Sequence, residues 1–137
     1  MADRYFVDRP IEGDAALLRD ALEAALLAAE PRALIFGRAA PRLPNTTLFA
    51  VPGVKAETAV IALDLAGVEV SSGAACSSGK VQPSHVLAAM GVAPALARGA
   101  IRVSLGPQTP ESAVAGFIGA WIKVSEPLLR KGQGIAA

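Results

Sequence analysis

Apolar residues recur along this chain with two periods, and turn residues divide the periodic stretches into short elements. Between residues 15 and 29, Leu18, Ala21, Leu22, Ala25 and Leu26 share one face at helical spacing, which predicts an amphipathic helix. Asp14 stands where an N-cap belongs, after Gly13, and Pro31 ends the segment. Residues 32–36 (RALIF) read as a short strand stopped by Gly37, and 38–45 (RAAPRLPN) as a loop with two prolines. Residues 46–51 (TTLFAV) predict a second strand before the Pro52-Gly53 turn. Ala56, Ala59, Val60 and Leu63 mark a helix, with Gly67 placed as its left-handed terminator.

A third strand is expected at 68–70 (VEV), running into the loop SSGAACSSG at 71–79. Short helices follow at 84–90, closed by Gly91, and at 94–98. Residues 100–105 (AIRVSL) alternate: Ile101, Val103 and Leu105 point to one face, and Ala100, Arg102 and Ser104 to the other. Thr109 and Pro110 suit a helix start. Val114, Phe117, Ile118, Trp121 and Ile122 form its inner stripe, and Pro127 is expected to kink or restart it. This order predicts an α+β fold, or α/β in two layers: a small mixed or antiparallel sheet covered by helices.

The chain has 137 residues, enough for one domain with a real core. With 53% hydrophobic but only 4% aromatic residues, that core must draw mostly on Ala, Val, Leu and Ile. The 13 basic and 12 acidic residues form no long charge block, so neither a nucleic-acid arm nor a polybasic membrane patch is expected. No apolar run reaches the ~18 residues of a membrane span, and MADRYFVDRP has no signal-peptide core. A cytoplasmic protein is expected. A single cysteine excludes an internal disulfide framework.

That cysteine, Cys76, lies at the centre of nine residues that are otherwise serines, glycines and alanines. Such a loop has nothing bulky to bury, so it is expected to be mobile and accessible. Two readings fit: a flexible connection with an incidental cysteine, or a tethered thiol that travels, attacks and hands something on. Cys76 and His85 alone do not complete a zinc site. A Cys–His pair would need a third group to orient the histidine. No phosphate-loop pattern is present.

Several motifs, in order, resemble the carboxy-terminal part of the cysteine desulfurases, the pyridoxal-phosphate enzymes of fold type I. They are the segment from RLPN to HVLAAMG at 42–91, with its SSGAAC at 71–76, and ARGAIRVSLG at 97–106. The resemblance covers roughly residues 14–130. It divides the chain into an unplaced extension, 1–13, a desulfurase-like domain, 14–131, and a tail, 132–137, expected to fray. It implies the small carboxy-terminal domain of such an enzyme, which converts L-cysteine to L-alanine and leaves a persulfide for iron–sulfur scaffolds or thiolation pathways. Cys76 resembles the nucleophile that becomes the persulfide. Arg102 resembles the arginine that holds the substrate carboxylate, and a guanidinium fork suits that task. Asn45 matches a family position but reads more readily as a turn residue.

Family members are about three times longer, on a two-domain layout. The part absent here would carry the lysine that binds the cofactor; Lys55, Lys80, Lys123 and Lys131 have no neighbouring histidine. Covalent binding of pyridoxal phosphate by this chain is therefore not expected, nor is activity by the chain alone. The expected partners are a cofactor-binding domain or subunit, a sulfur-acceptor protein, and a second copy of the chain through an exposed interdomain face. Two alternatives stand beside this: a sulfur carrier or interaction module that uses Cys76 alone, and another class V aminotransferase-like enzyme.

Overall fold

The computed structural model describes residues 11–37, 45–73, 75–77, 80–82, 85–106 and 109–136. The elements are α1 (Ile11–Ala29), β1 (Leu34–Ile35), β2 (Thr46–Ala50), α2 (Ala56–Leu65), β3 (Ser71–Ser72), β4 (Ala75–Ser77), β5 (Lys80–Gln82), α3 (His85–Ala89), α4 (Pro94–Ala97), β6 (Ile101–Ser104) and α5 (Ser112–Ala136). Strands β1, β2, β6 and β3, in that order, form one antiparallel sheet, and β4 and β5 form a separate hairpin. The fold is α+β, as the element order predicts.

Alternation along β2 and β6 sorts the two faces of the sheet. Thr47 pairs with Val103 and Phe49 with Ile101, and all four are buried. On that face α1, α2 and α5 pack, through Leu22, Leu26, Ala59, Leu63, Phe117 and Trp121. Phe49 stands edge-on to both Trp121 and Phe117, with centroids 5.5 and 6.2 Å away, a favoured geometry for ring pairs. The core is largely aliphatic, as composition requires, but half of the chain's few aromatics gather at its centre. The opposite face carries a smaller cluster, where Leu87, Ala97 and Ala100 meet Phe36, Leu48 and Val92.

Several elements differ in detail from the sequence expectation. Helix α1 begins at Ile11, so Asp14 is inside it and not its N-cap. A glycine in a helix costs only about 1 kcal/mol, and each added residue returns a backbone bond. The third strand is Ser71–Ser72 rather than 68–70; Val68 and Val70 instead lean on the core as loop residues. Ala100 is buried, because the small cluster covers its end of the second face. Ile122 is 56% exposed, since the buried line of α5 runs through Phe117, Trp121 and Ser125. Helix α5 is entered by a tight turn, with Ala113 and Val114 N–H bonded to Pro110 and Glu111 carbonyls. It then continues through Pro127 to Ala136. The proline therefore does not restart the helix.

Gly67 ends α2 as expected. Its φ is +91°, its N–H bonds the Asp64 carbonyl at 2.9 Å, and Val68 N–H bonds the Leu63 carbonyl at 2.8 Å. These are the two bonds of a Schellman ending. They turn the chain from α2 straight toward β3.

Glu23, on α1, is buried among these apolar groups, and the Thr47 hydroxyl donates to its carboxylate at 2.5 Å. The bond ties α1 to the middle of β2. Phe49→Ala should lower the unfolding free energy by about 3–5 kcal/mol, the usual range for a buried ring. Urea denaturation followed by circular dichroism measures it, and a loss under 1 kcal/mol would show that the aromatic centre is dispensable.

Candidate active site

Arg102 lies on β6 between Ile101 and Val103, so burial of those two sends its side chain to the other face. Its backbone is held on both sides, opposite Leu48 of β2 and opposite Ser71 of β3. The side chain is exposed and borders a cleft of about 470 Å³ with Ser71, Ser104, Asp64, Glu69 and Val70. Ile61 and Leu65, which border the same cleft, are 62% and 84% exposed. Among the described residues no ion pair involves Arg102. A guanidinium fork thus stands at an open groove, with Asp64 and Glu69 along its wall.

Cys76 is reached from the same strand pair. The ladder Ser71–Arg102 and Ser72–Ile101 is followed by a bond from Gly73 N–H to the Ala100 carbonyl at 2.8 Å. Beyond it the chain leaves the sheet and forms the β4–β5 hairpin, with Ala75 opposite Gln82, Cys76 opposite Val81 and Ser77 opposite Lys80. The expected open loop at 71–79 is therefore a strand end followed by a hairpin; residues 74, 78 and 79 lie outside the described residues. Small side chains give this segment no core of its own, but main-chain pairing needs none. Sequence and structure agree that Cys76 sits five residues from Ser71, the β3 neighbour of Arg102.

Asn45 extends the β2–β6 ladder. Its carbonyl accepts from Leu105 N–H at 2.7 Å, and its side-chain amide donates to the Leu105 carbonyl at 3.3 Å. It is a structural clip on the strand of Arg102, in keeping with its reading as a turn residue. The residues that sequence reasoning passed over are Asp64 and Glu69, which join the cleft through the turn at Gly67, and Leu48 and Ala100, which flank Gly73. Only the SSG motif hinted at any of these.

The Aminotransferase class-V family profile matches residues 9–117. The chain belongs to the aminotransferase class-V family. A cysteine desulfurase of Cereibacter sphaeroides is 50% identical over 97 residues, which cover 71% of this chain and 25% of that protein. The cysteine desulfurase NifS of Azotobacter vinelandii is 41% identical over 97 residues, 71% of this chain and 24% of that one. The X-ray structure of a NifS-like protein from Rickettsia africae superposes with a TM-score of 0.71 at 32% identity, over 84% of this chain and 29% of the other. The matched segment thus spans about a quarter of each curated relative.

The family implies pyridoxal phosphate in the full-length enzymes. Of the four lysines, the structure describes the side chains of Lys55 and Lys123. Lys55 borders a different cavity, with Glu57 and Arg98, Lys123 lies on α5, exposed, and among the described residues no lysine borders the Arg102 cleft. Among the described residues no helix is long and apolar enough to cross a membrane.

Arg102 is exposed, so Arg102→Ala should change the unfolding free energy by less than about 0.5 kcal/mol. Urea midpoints of the two proteins test this; a loss of 2 kcal/mol would make Arg102 a structural residue.

Proposed function

We propose that this chain is the carboxy-terminal domain of a cysteine desulfurase, supplying Arg102 and Cys76 to a site completed by a cofactor-bearing polypeptide. The observation that carries the reading is the direct pairing of Ser71, at the root of the Cys76 segment, with Arg102. One strand pair presents a carboxylate-binding group and, a short tether away, a thiol. That combination suits a substrate with a carboxylate at one end and sulfur at the other.

Arg102 takes the carboxylate of L-cysteine as a charge-assisted pair, which fixes the direction of the C–S bond. Cys76 attacks the substrate sulfur as its thiolate, the nucleophilic form. An S–S bond forms and the C–S bond breaks. The electron pair of that bond stays on carbon, which takes up a proton, so L-cysteine and Cys76 thiol become L-alanine and Cys76 persulfide. Withdrawal of electrons from the substrate would be supplied by pyridoxal phosphate on the cofactor-bearing polypeptide. The hairpin then offers the persulfide to an acceptor such as an iron–sulfur scaffold.

The open cleft supports a covering partner. Ile61 and Leu65 expose apolar surface right beside Arg102, an arrangement suited to burial against another surface. The same exposed surface supports self-association of the isolated chain, and the chain alone is proposed to be inactive.

The test is a chimaera in which this chain replaces the matching segment of the Cereibacter sphaeroides desulfurase. L-Cysteine is titrated while cofactor absorbance and persulfide are followed. Cys76→Ser should bind L-cysteine and change the spectrum yet form no persulfide. Arg102→Ala should weaken L-cysteine binding by about 2–3 kcal/mol, as expected for a lost charged contact. Persulfide formation by Cys76→Ser, or unchanged affinity in Arg102→Ala, would contradict the assignment.

A further inference from the structure

The hairpin that carries Cys76 is attached to the sheet at one crowded point. Gly73 N–H donates to the Ala100 carbonyl at 2.8 Å, the last described bond joining this segment to β6 before the chain departs. A Cβ on Gly73 would stand 2.7 Å from Leu48 Cδ1, 3.0 Å from Ala100 Cβ and 3.3 Å from the Ala100 carbonyl oxygen. Gly73 is not among the glycines with positive φ. Space, not backbone conformation, is what demands glycine here.

Of these neighbours Ala100 has little freedom to yield, whereas Leu48 Cδ1 is the far end of a half-buried side chain. Ala100 is fully buried, and Leu48 packs on the cluster of Leu87, Ala97 and Ala100. Leu87, on the α3 helix that follows the hairpin, is fully buried in the same cluster. Leu48 is also the β2 partner of Arg102. One small cluster therefore meets the root of the Cys76 hairpin, the helix that follows it and one neighbour of Arg102.

We propose that Gly73 is a positioning residue, whose close seat on Leu48 and Ala100 fixes the root of the Cys76 hairpin relative to Arg102. The inference rests on the reading above for its purpose, though not for its geometry. Cys76 is three residues past Gly73, so at ~3.3 Å per residue its backbone stays within roughly 10 Å of the root. The seat thereby limits the volume the thiol explores to the neighbourhood of Arg102. A side chain at position 73 shifts that volume without altering any group that meets substrate.

The test uses the chain itself, whose only native cysteine is Cys76. Arg102→Cys places a second thiol on β6. The disulfide between it and Cys76, equilibrated in a glutathione redox buffer, reports their effective concentration. The expected result is a monomeric disulfide in the Arg102→Cys protein. Adding Gly73→Ala should lower the effective concentration at least about tenfold, and adding Leu48→Ala as well should restore it. A purely structural role would move the urea midpoint and leave this ratio unchanged. No monomeric disulfide, no fall with Gly73→Ala, or a fall that Leu48→Ala does not reverse overturns the proposal. Should Gly73→Ala alone fail to fold by circular dichroism, the Gly73→Ala/Leu48→Ala pair is compared with Leu48→Ala. Equal effective concentrations support the seat, and a lower one, or a pair that also fails to fold, overturns it. The readout needs neither cofactor nor persulfide, so its failure and failure of the desulfurase reading are told apart.

Discussion

Phe49 is the residue on which the arrangement turns. It sits at the middle of β2, wholly buried, edge-on to Trp121 and Phe117 of α5 and paired across the ladder with Ile101. That contact decides which face of the sheet meets the helices. Strand geometry leaves no freedom after that: neighbours alternate, so the residue after Ile101 must face away from the helices. Arg102 is that residue. A one-residue slip of β6 would put the guanidinium in the aromatic core and Ile101 in solvent, at a cost the fold could not bear.

From the same constraint follows the placement of Cys76. Strand β3 can add to β6 only at its free edge, since β2 occupies the other. The Schellman ending at Gly67 delivers the chain to that edge. Ser71 then lies opposite Arg102, and the hairpin begins just beyond. Of the two groups proposed for chemistry, Arg102 therefore lies on the sheet itself and Cys76 on the hairpin that follows the neighbouring strand, while the cleft beside Arg102 stays open on one side.

Much of this was legible in the residues. The AIRVSL alternation gave β6 and the outward face of Arg102, and Gly67 gave the end of α2. The SSGAAC motif drew attention to Cys76. The misses have a common cause. A hydrophobic period cannot say which small residues touch: Ala100 reads as an outward position and is buried, and Gly73 reads as flexible filler and occupies the tightest seat near the site. Likewise, a run of serines and glycines predicts an open loop, because main-chain pairing of β4 with β5 leaves no side-chain signature. Asp64 and Glu69 are ordinary surface acids in the sequence; only the turn that follows α2 brings them to the Arg102 cleft. Glu23 interrupts an apolar stretch in the sequence, and folding buries it against Thr47.

In the proposed reaction this chain's own cysteine takes the sulfur. Mass spectrometry of the chimaeric enzyme after a single turnover of L-cysteine, with alkylation to trap persulfide, tests it most directly. The expected result is one added sulfur atom on the peptide that contains Cys76, in step with the L-alanine formed. L-Alanine released with no added sulfur on that peptide would contradict it.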